Sequence, residues 1–335
     1  MIAGGGTGGH LYPGVALAEE ITTRHPDNEV LFVGTRRGLE ARVIPELGFP
    51  LELIQVSGLK GTGLGKRMQG FMQLPGALWQ SMQLVRRFRP DVAVGVGGYA
   101  SGPAILAARL CGVPTAVLEQ NTVPGVTNRI LGRMVDAVYV MFDGSADYFP
   151  QGKVQRLGNP IRRQLLENFL RPPEAVEEGA PFRVLVLGGS QGAHALNLRM
   201  VEAAATLSQA QPTLHVVHQT GRKDRELVEK GYAHAGLSAE VHEFIDDVSA
   251  AYRQADLVVC RAGATTLAEV MVAKKPAILV PYPHAADNHQ ELNAQVYFVG
   301  QWANVGMIRS ILSPVGRQWQ QQRWRRVCCP AMGEC

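Results

Sequence analysis

Ala3-Gly4-Gly5-Gly6-Thr7-Gly8-Gly9-His10 opens the chain, and Gly188-Gly189-Ser190-Gln191-Gly192-Ala193 repeats its character in the second half. Each run follows an apolar segment and precedes a helix-like pattern, so strand, glycine loop and helix occur twice. Glycine permits a tight turn and lets backbone N–H groups come close to an anion. The helix start behind each loop adds a partial positive charge. Two such units facing each other predict a nucleotide or pyrophosphate held in a cleft between two lobes.

Working outward from the first loop, the pattern alternates in the βαβ manner. A helix is predicted from about Pro13 to Arg24, and strands at Val30–Val33, Leu53–Val56, Asp91–Val96, Pro114–Leu118 and Val135–Val140. Gly158-Asn159-Pro160, then Pro172-Pro173 and a short acidic run, reads as the inter-lobe connection. Strand candidates resume at Arg183–Leu187, Leu214–Gln219, Val241–Phe244, Leu257–Cys260 and Ala277–Val280, with helices between. Buried apolar runs alternating with helices predict an α/β fold with two doubly wound parallel sheets. Ligands on such sheets bind beyond the carboxyl ends of the strands, where both glycine loops fall.

A length of 335 residues suits two domains, and the 37 glycines and 20 prolines are interspersed rather than repetitive. No secretory signal is read at the N-terminus, and no window approaches a membrane span of roughly 18 apolar residues. The five cysteines, 111, 260, 328, 329 and 335, fit a reducing cytosol better than a disulfide framework. Cys328-Cys329 with Cys335 lacks zinc-ligand spacing, and no other cluster calls for a metal or cofactor. The net charge of +4 resides in the C-terminal stretch: from Gln295 onward there are five arginines and one acid, and without them 33 basic and 29 acidic residues become 28 and 28. Charge therefore gives no argument for nucleic acid. That stretch also holds three of the four tryptophans, and its lack of periodicity predicts a segment foreign to the fold, from an altered reading frame or artificial terminus.

Further segments resemble those of the MurG glycosyltransferases of bacterial cell-wall synthesis. They are Gly5–Gly14, Gly97-Gly98-Tyr99-Ala100-Ser101-Gly102-Pro103, Glu119-Gln120-Asn121, Gly158-Asn159-Pro160-Ile161-Arg162 and Gly188–Ala193. Glu243-Phe244-Ile245-Asp246-Asp247, Cys260–Glu269 and Asp287–Ala294 complete the series. The first strand is shorter than is usual in that family, and the resemblance is read no further than Ala294. It implies a GT-B fold, with an acceptor and membrane-associated domain at 1–158, a UDP-GlcNAc-binding domain at 159–294 and an atypical tail at 295–335. It implies inverting transfer of N-acetylglucosamine from UDP-GlcNAc to lipid I, forming lipid II, by an enzyme peripheral on the cytoplasmic face of an anionic bacterial membrane. Other UDP-sugar glycolipid transferases, an epimerase, or an impaired UDP-sugar-binding product of a disrupted gene are the rival readings.

The resemblance also assigns residues. Thr7, Gly8 and Gly9 become the first-loop contacts. Their bland alternative is a tight turn needed for helix packing. His10 and Glu119 are candidate bases for the acceptor hydroxyl, against a helix-start hydrogen bond and an ion pair. Ser190 faces the donor phosphates, where neutralising the leaving UDP is the larger catalytic task, against a simple helix cap. Ala264, Thr265, Thr266, Leu267 and Ala268 open a helix toward the phosphates, and Glu269 takes the ribose hydroxyls, against a capping box from Thr266 to Glu269. Ile245 reads uracil through its backbone, Arg162 and Gln290 add donor contacts, and Asn121 contacts a sugar. Residues 58–89 are the membrane candidate, with Lys60, Lys66, Arg67, Arg86, Arg87 and Arg89 flanking Phe71, Met72, Leu74, Leu78, Trp79, Met82 and Phe88. The alternative there is one amphipathic helix packed inward.

Overall fold

The structure is a computed structural model that describes residues 1–56, 64–171, 179–189, 192–299 and 306–307. Ser190, Gln191, Lys60, Pro172-Pro173 and most of the C-terminal stretch lie outside the described residues. The chain divides into two compact units: the first is Met1–Glu167 with Gly263–Ala268, and the second takes Asn168–Ala262 and resumes at Glu269.

The first unit carries a seven-stranded sheet of β1 (Ile2–Gly4), β2 (Phe32–Gly34), β3 (Leu51–Leu53), β4 (Ala93–Gly97), β5 (Thr115–Glu119), β6 (Ala137–Val140) and β7 (Val154–Arg156), in the order β3-β2-β1-β4-β5-β6-β7. The second carries β8 (Phe182–Leu187), β9 (Leu214–Gln219), β10 (Ser238–His242), β11 (Leu257–Cys260), β12 (Ala277–Leu279) and β13 (Gly306–Met307), in the order β10-β9-β8-β11-β12-β13. All pairings in both sheets are parallel. The doubly wound α/β architecture is thus present twice.

The chemistry of the strands explains the layering. β5 is buried along its whole length, as the apolar run Thr-Ala-Val-Leu before Glu119 requires of a strand covered on both faces. The helix Ser101–Leu110 packs on this sheet through Ala104, Ala107 and Ala108, all fully buried, whose small side chains let helix and sheet approach closely. In the second unit Val184, Val186, Val216 and Val259 meet Leu196, Met200 and Val228 of the covering helices. Each such buried aliphatic contributes roughly 1.5–3 kcal/mol.

Several boundaries differ from those read in the sequence. The first helix runs Gly8–Arg24, five residues earlier than predicted, because only Gly4, Gly5 and Gly6 take the positive φ that the loop needs. Pro13 then stands inside the helix rather than at its start. β3 is Leu51–Leu53 instead of Leu53–Val56: Phe32 pairs with Leu51, and the Ile54 N–H closes the ladder on the Gly34 carbonyl at 3.0 Å. β10 lies at Ser238–His242 instead of Val241–Phe244, an edge strand with no buried residue. The elements continue beyond Ala294, with a helix His289–Val299 and β13 paired to β12. Among the described residues, no helix is long and apolar enough to cross a membrane, and no group of side chains is arranged to hold a metal.

Candidate substrate-binding loops

In each sheet the strand order reverses at one place, between β1 and β4 in the first unit and between β8 and β11 in the second. At such a switch point the flanking loops part and leave a crevice beyond the strand ends. Both glycine loops leave the sheet there.

The first loop joins β1 to the helix Gly8–Arg24, with Thr7 as the extended residue before the helix. Its Gly5 N–H donates to the carbonyl of Gly97, the last residue of β4, at 3.2 Å. The Gly6 N–H donates to the Glu40 carboxylate at 2.7 Å. His10 is half-buried on the first helical turn, with Nδ1 3.4 Å from the Thr7 hydroxyl. Its ring lies against Gly97, where a methyl group would come within 2.8 Å of His10 Cδ2. The first-loop residues and His10 are therefore together at the switch point.

Glu119, at the end of β5, has a different setting. It is 1% exposed, and both carboxylate oxygens accept from the loop that follows. Oε1 takes the Asn121 N–H at 2.9 Å, and Oε2 takes Asn128 Nδ2 at 2.9 Å and the Gly125 N–H at 3.2 Å. Burial pushes this carboxyl up from its ordinary range, against the pull of those donors. Asn121 is held at this loop by its own bonds to Glu119. Arg162 stacks over Tyr12 at 4.9 Å, and the next residue's N–H donates to Glu19, so Arg162 rides on the first helix.

In the second unit the glycine loop after β8 leads into the helix His194–Ala210. A methyl on Gly192 would lie 1.9 Å from the Thr220 carbonyl, and Gly192 has φ +77°, so no other residue fits. Gln219, 6% exposed, donates from Nε2 to the Gly189 carbonyl at 2.9 Å and accepts the Ile245 N–H on Oε1 at 3.0 Å. One buried amide thus joins the glycine loop to the segment read as the uracil contact. Behind it, His218 accepts from the Tyr232 hydroxyl at 2.7 Å, and its Nε2 meets Asn197 Oδ1 at 3.1 Å. Asn197 Nδ2 donates to the Thr220 carbonyl and to Asp224, which fixes its amide and so the His218 tautomer.

Ala264–Ala273 is a helix, as read, and follows β11. Thr266 is its third residue, which removes the capping box weighed for Thr266 and Glu269, since a cap must precede the helix. Glu269 instead accepts from the fully buried Tyr252 hydroxyl at 3.3 Å. Gln290 Oε1 accepts the Tyr282 N–H at 2.9 Å. Glu40, Gln219 and Tyr252 had no sequence signal, because what marks them is burial against distant backbone or side-chain atoms.

The helix Leu64–Phe88 carries the membrane candidate. Leu78, Met82 and Phe88 pack against the core of the first unit, so these three are turned inward rather than toward a bilayer. Trp79 is 62% exposed, and Arg86, Arg87 and Arg89 are exposed. Lys60 lies outside the described residues, as do the side chains of Lys66, Arg67, Phe71 and Met72.

Residues 1–140 match the glycosyltransferase family 28 N-terminal domain, and residues 183–308 match its C-terminal domain. A UDP-N-acetylglucosamine--N-acetylmuramyl-(pentapeptide) pyrophosphoryl-undecaprenol N-acetylglucosamine transferase of Anaeromyxobacter dehalogenans (strain 2CP-C) is 60% identical over 295 residues, 88% of this chain and 76% of that protein. The protein of the same name from Myxococcus xanthus (strain DK1622) is 57% identical over the same length and shares of the two chains. The crystal structure of Acinetobacter baumannii MurG superposes with a TM-score of 0.71 at 30% identity, covering 98% of this chain and 91% of that one. The chain is a GT-B glycosyltransferase and belongs to the MurG family of N-acetylglucosamine transferases.

Proposed function

We propose that the chain transfers N-acetylglucosamine from UDP-GlcNAc to lipid I, giving lipid II for peptidoglycan, with inversion and without a covalent intermediate. The observation that carries this reading is the identity of 60% over 295 residues, 88% of this chain, to a transferase of that name. An epimerase or a different glycolipid transferase gains no support from matches of that strength.

In this reading the segments around Ser190, Ile245 and Glu269 bind the donor. The loop holding Ser190 and the helix start at Ala264, Thr265, Thr266, Leu267 and Ala268 offer N–H groups to the diphosphate. Ile245 meets uracil, Glu269 the ribose hydroxyls, and Arg162 and Gln290 complete the donor contacts. The first unit takes the acceptor through Thr7, Gly8, Gly9 and Asn121. His10 accepts the proton of the acceptor hydroxyl as that oxygen attacks the anomeric carbon and the bond to UDP breaks. A base needs reach and a pKa near the working pH. Half-buried His10 on the first helical turn is better placed to reach that proton than Glu119, whose oxygens already hold the Asn121–Asn128 segment. Charge growing on departing UDP is met by preorganised N–H donors.

The lipid acceptor puts the reaction at a membrane in this reading, and exposed Trp79 with Arg86 and Arg89, beside Arg87 paired to Glu52, supports peripheral docking on an anionic cytoplasmic leaflet, each unpaired basic residue adding about 1 kcal/mol near the surface. Labelled UDP-GlcNAc with a short-chain lipid I analogue is the test. Labelled lipid II is the expected product; turnover of UDP-GlcNAc without an acceptor, or nucleotide binding with no transfer, would sink this reading. Sedimentation with phosphatidylglycerol vesicles, compared with phosphatidylcholine vesicles, checks the docking.

A further inference from the structure

Glu40 is a carboxylate at 1% exposure, on the helix Glu40–Glu46, with no part in the chemistry described so far. Among the described residues no lysine or arginine pairs with it. Its partners are three donors from two loops. Oε2 accepts the Gly6 N–H at 2.7 Å, and Oε1 accepts the Thr35 N–H at 2.9 Å and the Thr35 hydroxyl at 3.0 Å. Three glycines make room for it: a methyl on Gly5, Gly34 or Gly38 would lie within 2.3, 2.4 and 2.0 Å of Glu40 atoms.

Burying an unpaired carboxylate is expensive unless donors satisfy it. Glycine normally brings backbone freedom, and Gly5 and Gly6 both sit at positive φ. The bond from Gly6 removes that freedom at the residue before Thr7. Thr7 in turn meets His10, and Gly5 is tied to Gly97, against which His10 packs. We propose that Glu40 is a positioning residue for the acceptor side of the reaction: it sets the first glycine loop, and through it Thr7 and His10. The proposal rests on the reading of this loop and His10 as acceptor-facing.

The test compares Glu40→Leu with Thr35→Val in the full chain. Leucine fills the space but accepts no hydrogen bond, so the Gly6 N–H loses its partner together with the Thr35 donors. Thr35→Val removes the Oε1 hydroxyl bond and leaves Gly6 on Oε2. Glu40→Leu is expected to lower kcat/KM for the lipid I analogue roughly tenfold to a hundredfold, the span set by one unpaired buried donor. Calorimetric affinity for UDP should stay within about twofold, since Ile245 and Glu269, read as the uracil and ribose contacts, lie on the second unit. Thr35→Val should lower the melting temperature and leave transfer kinetics unchanged. Deuterium exchange of the amides at residues 4–10 should accelerate in Glu40→Leu and not in Thr35→Val. Wild-type acceptor kinetics and unchanged exchange in Glu40→Leu, with a loss of melting temperature alone, would overturn the proposal. If the wild-type protein transfers nothing, the functional reading fails, and the exchange of residues 4–10 alone decides whether Glu40 holds the loop.

Discussion

Acidification should weaken the second unit through one imidazole. His218 is fully buried between Tyr232 and Asn197, and burial pushes its pKa down from 6.5 to about 4, against a smaller upward pull from Asp224. The hydrogen bonds agree with that direction. Asn197 donates both ways from Nδ2, so its Oδ1 accepts from His218 Nε2–H, and Nδ1 is left to accept from Tyr232. A proton on Nδ1 would meet the tyrosine's O–H donor. Between pH 6.5 and about 4 the unfolded chain therefore binds a proton that the native state refuses, and stability falls as pH drops. Relative to pH 8 the loss from this group is about 0.8 kcal/mol at pH 6 and about 2 kcal/mol at pH 5. His218→Gln can preserve both contacts, its amide NH2 facing Asn197 and its oxygen facing Tyr232, while removing the titration. Urea unfolding of both proteins at pH 8, 7, 6 and 5 isolates the term as the difference between their profiles. That difference should widen in favour of the variant toward pH 5. Parallel profiles would refute the assignment of a neutral, unprotonatable His218. Because Asn197 also holds the Thr220 carbonyl, under which Gly192 packs, the wild-type KM for UDP-GlcNAc should rise over the same range.

Three further outcomes follow from the loop geometry. Gly97→Ala puts a methyl 2.8 Å from His10 at a backbone φ of +95°, and should cut transfer while leaving UDP affinity by calorimetry unchanged. Gln219→Leu strands the Gly189 carbonyl and the Ile245 N–H, and at about 1–3 kcal/mol for each unpaired group the donor KM should rise at least about tenfold, seen in steady-state kinetics with saturating acceptor. Tyr252→Phe removes the hydroxyl at Glu269, and at about 0.5–1.5 kcal/mol should raise the donor KM roughly twofold to tenfold, with kcat little changed in the same assay.

The β8, β9 and β11 strands were legible because their apolar runs are bounded by turns and buried on both sides. β7 was not, since Val-Gln-Arg is a three-residue edge strand that needs no apolar run. The first helix start was misread because Gly8 and Gly9 look like loop residues, yet their backbone is helical and only the three glycines before Thr7 turn the chain. Loop positions were legible for the same reason that their fine structure was not. Glycine spacing marks where a phosphate-sized turn can form, whereas Glu40, 34 residues from Gly6, touches it only once the sheet is built. Gln219 hides similarly: a strand-end glutamine is ordinary until Gly189 and Ile245 come to either side of it. The inward packing of Leu78, Met82 and Phe88 was offered by amphipathic spacing as the alternative to membrane contact, and spacing alone cannot separate an interior from a bilayer.

The strand order also sets a timetable for synthesis. β1 and β8 are each the first strand of their unit, yet each lies inside its sheet and waits for a distant partner. Ile2 pairs with Val94, and Val184 with Leu257. A nascent chain can zip β1 to β2 and β3 early, but one flank of β1 stays an unpaired edge until β4 leaves the ribosome, an exposure that invites aggregation. Gly97, the packing surface for His10, is the last residue of that late strand. Each binding crevice is therefore completed when its exposed edge closes, and ribosomal stalling before residue 97 would yield a half-sheet that is both sticky and without a finished site.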